Sequence, residues 1–96
     1  MNDTATASAW NNGGWSATGA GYGVRIPKGF RDDHFKVDWD SVTLDIENYS
    51  RVIVSVTPSF WRRCSELRSA QIGQWLIGLG LGRWARGNPP RVMLTH

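Results

Sequence analysis

Apolar residues recur at every second position in two runs near the middle of the chain. Val42, Leu44 and Ile46 alternate with Thr43, Asp45 and Glu47, and Val52, Val54 and Val56 repeat the pattern after the polar connection Asn48-Tyr49-Ser50. Period-two alternation marks strands with one buried face, so these runs predict a hairpin whose apolar side needs a cover. Thr57-Pro58 follows, with threonine suited to an N-cap and proline to the first helical position, where its missing N–H has no partner to lose. From there the spacing predicts one long helix ending near Gly80. At about 100° per residue, Phe60, Cys64, Leu67 and Trp75 cluster, with Trp61, Ile72 and Leu79 on the flank and Leu76 beyond. Arg62, Glu66, Ser69 and Gly73 point the other way.

The flanking segments are less regular. Met1 to Ala9 is small and polar and reads as a frayed tail. Asn11-Asn12-Gly13-Gly14 is a turn signal between Trp10 and Trp15, and Tyr22, Val24 and Ile26 mark a strand that Pro27-Lys28-Gly29 breaks. Phe30 to Asp40 reads as an acidic loop pinned by Phe35, Val37 and Trp39, and Arg91 to Thr95 as a last strand returning beside the hairpin. Together these predict an α+β fold: a small antiparallel sheet of about four strands in β-β-β-α-β order, covered on one face by a single long helix. Residues 1–9 form a flexible tail and residues 10–96 a single domain.

Ninety-six residues suit one core. A hydrophobic fraction of 41% with 20% charged residues argues against disorder. Six tryptophans are too many for so small a core to hide, so some are expected at a surface that meets a partner or a second copy, as in a homodimer. Cys64 is the single cysteine and has no partner for an internal disulfide. No basic, apolar leader is visible, and Ile72 to Leu81 is too short for a membrane span, so the expected location is cytoplasmic, with no membrane partner. The net charge of +3 is unevenly spread. Residues 1–57 carry five basic and seven acidic side chains, whereas residues 58–96 carry six arginines against Glu66 alone. That imbalance permits a polyanion partner.

Candidate chemistry is sparse. The glycines of Gly19-Ala20-Gly21-Tyr22-Gly23 lead into a strand rather than a helix, which suits close backbone approach better than a phosphate cradle. Asp32, Asp33, His34 and Asp38, with Asp40, form the one cluster able to bind an ion, but their spacing matches no EF-hand or zinc set. A metal-dependent hydrolase built on them is the weakest reading, and no metal or cofactor is expected. Cys64 sits on the apolar helical arc, where a thiol is packing, and no catalytic set assembles. Arg68 falls inside the same arc, and we expect a buried ion pair with an acid such as Asp38 or Asp40, the alternative being an aliphatic stem over apolar surface with its head in solvent.

Arginine beside tryptophan is the most suggestive pattern: Trp61-Arg62-Arg63, Arg83-Trp84-Ala85-Arg86 and, later, Arg91. Guanidinium groups bind phosphate and flat rings stack on bases, but no RNP, KH, finger or helix-turn-helix pattern accompanies them. The leading expectation is a small non-enzymatic interaction module that binds a protein partner or self-associates. The alternative is a small basic nucleic-acid-binding protein. Arg62, Arg63, Arg83, Trp84, Arg86 and Arg91 are the binding residues in either case.

Overall fold

The computed structural model describes residues 4–96. Among them the elements run β1 (Thr4–Asn11), β2 (Tyr22–Arg25), α1 (Lys28–His34), β3 (Ser41–Asp45), β4 (Arg51–Ser55), α2 (Pro58–Arg62), β5 (Glu66–Arg68), α3 (Ala70–Gly78) and β6 (Arg91–Thr95). The α+β class is as expected. Strands β5, β2, β1 and β6 form, in that order, a four-stranded antiparallel sheet, and β3 and β4 pair separately as the predicted hairpin.

The single long helix is not formed. At Arg63 the backbone leaves the helical region (φ −127°, ψ −87°), and after two extended residues Glu66-Leu67-Arg68 pairs with Arg25-Val24-Gly23. An extended conformation there buries Leu67 completely and satisfies the edge of β2, which a continued helix would leave open. α3 then begins afresh, capped by the Ser69 hydroxyl, which accepts from the Gln71 N–H at 3.2 Å. Cys64, assigned to the apolar arc by helical spacing, is exposed as a result.

The frayed tail is also corrected for Thr4 to Ala9, which lie in β1, between β2 and β6; Met1 to Asp3 lie outside the described residues. Serine and threonine of β1 alternate with Ala5, Ala7 and Ala9, and the alanines face inward. Small inner side chains let the opposite layer approach closely. Part of the loop at 30–40 is the short helix α1, held by the buried Arg31, whose Nη1 donates to the Phe60 carbonyl at 3.1 Å and whose guanidinium lies over the Trp61 ring. β6 pairs with β1 rather than returning to the hairpin.

One face of the four-stranded sheet meets the core. Ala9, Tyr22, Val24 and Leu67 pack with Val52 and Val54 of β4, Phe60 of α2, and Ile72 and Leu76 of α3. None of the six tryptophans joins the fully buried set; Trp15, Trp61, Trp75 and Trp84 flank it, and Trp39 is exposed. α3 sits so close to the β1–β2 connection that a Cβ on Gly73 would lie 2.3 Å from the Gly19 carbonyl oxygen.

That contact makes a paired prediction. Gly73→Ala should destabilise the fold by about 1–3 kcal/mol, the usual cost of overpacking. Gly78→Ala, with open space around it, should be neutral or stabilising by up to about 1 kcal/mol. Denaturant unfolding of the two variants checks both signs.

Candidate functional site

Two surfaces gather side chains that the sequence keeps apart. The first lies between the hairpin and the main sheet. Among the described residues β3 pairs only with β4 and β6 only with β1, so each has an unpaired outer edge. Residues of both strands line one cavity of about 680 Å³, walled by Phe30, Phe35, Trp39, Val42, Leu44 and Leu94. The inward residues of these strands are only half-buried there, whereas Val52 and Val54 of β4 are sealed in the core. His34 and His96 stack at 4.1 Å on its wall, and Asp38 and Asp40 add carboxylates. No cysteine or lysine lines the cavity, and among the described residues no three His, Cys, Asp or Glu side chains gather as metal ligands. Its lining combines strand residues and apolar wall with two imidazoles and two carboxylates.

The second surface is the outer face of the four-stranded sheet. Strand alternation puts Thr4, Thr6, Ser8 and Trp10 of β1 there, with Arg25 of β2, Glu66 and Arg68 of β5, and Arg91 and Met93 of β6. Glu66 is clamped between two guanidiniums. Arg25 donates from Nε at 3.2 Å and Nη2 at 2.7 Å to one oxygen, and Arg68 donates from Nη2 at 3.1 Å to the other. The carboxylate side chain is 3% exposed, while those of Arg25 and Arg68 are 54% and 61% exposed. Burial pushes the Glu66 carboxyl up, but the hydrogen bonds and charges of Arg25 and Arg68 outweigh it and hold it below the usual range. The Arg68 guanidinium also lies over the Trp10 ring, 4.5 Å from its centre. Beside Arg25 a cleft of about 400 Å³ opens, lined by Thr6, Ser8, Lys28, Arg63, Cys64 and Ser65 among others, and no carboxylate lines it.

The residues singled out from sequence do not form one site. Arg63 lines the cleft and Arg91 stands on the outer face opposite Ser8. Arg62 is exposed at the end of α2, and Arg86 is exposed in the turn before β6. Arg83 lies over Trp15, and Trp84 packs edge-on against Trp15 and Tyr22, half-buried in a structural aromatic cluster. Arg68 is corrected on two counts: it is exposed, and its acid is Glu66 rather than Asp38 or Asp40. The helical arc misplaced it because residue 68 is on a strand. Arg25 and Trp10 carry no local sequence signal for this face, since only pairing across β5-β2-β1 brings them beside Arg68.

The clamp gives a pH prediction. A carboxyl held below its ordinary value of 4.5 contributes stability that is fully present above that value and is lost as pH falls through the lower folded value. The Tm of the protein should therefore fall on acidification, and Glu66→Gln should fall less steeply between about pH 6 and about pH 3. Parallel melts across that range check it; identical slopes would rule the clamp out as an acid-labile element.

No protein-family model matches the chain, and neither a curated protein nor a solved structure is detectably similar to it.

Proposed function

We propose that the protein is a non-enzymatic interaction module that accepts an extended segment of a protein partner as an added strand in the cavity between β3 and β6. The observation that carries this reading is that two strands with unpaired edges both line one apolar cavity. An exposed edge offers every second N–H and C=O to an incoming strand, and pockets for its alternate side chains supply selectivity. β3 and β6 are five residues each, a length matched by an ordinary strand. Val42, Leu44 and Leu94 are half-exposed and gain burial when the cavity fills. Asp38 and Asp40 favour an apolar segment that also carries a lysine or arginine.

A peptide alternating valine with lysine is a suitable probe. Its addition should slow amide hydrogen exchange in both β3 and β6, and Leu44→Lys should abolish the effect while leaving the fold intact. Unchanged exchange in either strand counts against strand addition. Light scattering separates the two kinds of partner: concentration-dependent dimers blocked by Leu44→Lys would assign the same cavity to a second copy of the chain.

A further inference from the structure

The outer face of the four-stranded sheet uses none of the side chains named on the cavity wall, and its chemistry differs. We propose that it is a separate binding surface for single-stranded nucleic acid, with a base stacked on the Arg68 guanidinium and a neighbouring phosphate in the cleft between Arg25, Lys28 and Arg63. Four observations converge on this ligand.

Arg68 presents an ordered plane. Its guanidinium is held on one side and left open on the other: Trp10 supports it at 4.5 Å, Glu66 accepts from it at 3.1 Å, and its side chain is still 61% exposed. A guanidinium held flat before binding loses little freedom on stacking, and bases stack on arginine planes as they do on aromatic rings. The charge is one-sided: among the described residues placed on this face and in its cleft, Arg25, Lys28, Arg63, Arg68 and Arg91 stand against Glu66, whose carboxylate is already engaged with two of them. The floor is flat, because β1 contributes only Thr4, Thr6 and Ser8 below Trp10. Small hydroxyl side chains leave room for a backbone to lie along the strand and can donate to its oxygens.

The spacing also fits. Trp10 and Thr6 are four residues apart on β1, about 14 Å at strand rise, with Arg25 opposite Ser8 midway. A chain running along β1 therefore meets the stacking plane at one end and the cationic cleft at the other. An acidic peptide would satisfy the charges but leave the arginine plane unused. A duplex keeps its bases stacked on one another and offers none to it.

The test is fluorescence anisotropy with a labelled oligothymidylate and the full chain. With four net cations engaged, affinity should fall about 50-fold between about 50 mM and about 200 mM salt, a slope of about −2.8 for a single strand. Arg68→Lys keeps the charge and removes the plane, so binding should weaken about ten-fold with the slope unchanged. Lys28→Gln with Arg63→Gln, both exposed, should reduce the slope by about 1.4. Leu44→Lys in the other cavity should bind the oligonucleotide like the unaltered protein. No binding at about 50 mM salt would overturn the proposal. So would equal affinity for duplex, wild-type behaviour of Arg68→Lys, or displacement of the oligonucleotide by phosphatidylserine vesicles with the variants unaffected.

Discussion

Three residues pairing with three others organise this molecule: Glu66-Leu67-Arg68 against Arg25-Val24-Gly23. The middle pair supplies the energy. Burying a leucine side chain contributes about 1.5–3 kcal/mol, and Leu67 is fully buried. Ion pairs with solvent-exposed cations contribute about 0–1 kcal/mol each, so the Glu66 clamp adds little by comparison. Its effect is on register. A shift by one residue would turn Leu67 outward and Glu66 toward the core, and the charged flanks make that alternative costly.

From that pairing the rest follows. It ends α2 and starts α3, so that two short helices cover the core at different places. It brings α3 against the β1–β2 connection, where Gly19 and Gly73 meet backbone to backbone. It also removes one edge of β2 from solvent and sets Arg68 over Trp10, a residue 58 positions away in the chain. The outer face gains its ordered guanidinium from the same contact that buries Leu67 on the inner face.

The two proposed surfaces have different physical character. The cavity between β3 and β6 offers hydrogen-bonding edges and apolar wall, and its affinity would come from burial, with weak dependence on salt. The outer face offers charge and a stacking plane, and its affinity would fall steeply with salt. The tryptophans serve both as scaffolding: Trp10 supports Arg68, Trp39 borders the cavity, and Trp15 packs with Trp84 at the end of the sheet.

The hairpin was legible in the sequence because valine alternation at residues 42–56 is a local property of the chain, and so was the helical start at Thr57-Pro58. The last strand and the segment from Tyr22 were legible for the same reason. β1 was not, since threonine, serine and alanine carry almost no hydrophobic contrast and become a strand only when β2 and β6 flank them. β5 was hidden because this three-residue strand contains a single apolar side chain, and one leucine fits a helical arc as well as a pleat. The clustering of Arg25, Glu66, Arg68 and Trp10 and the facing edges of β3 and β6 arise from long-range pairing. Local residue patterns set which side chains favour burial and where the chain turns. Strand pairing is set by the folded whole, because hydrogen bonds between distant segments depend on what else is available to satisfy each edge.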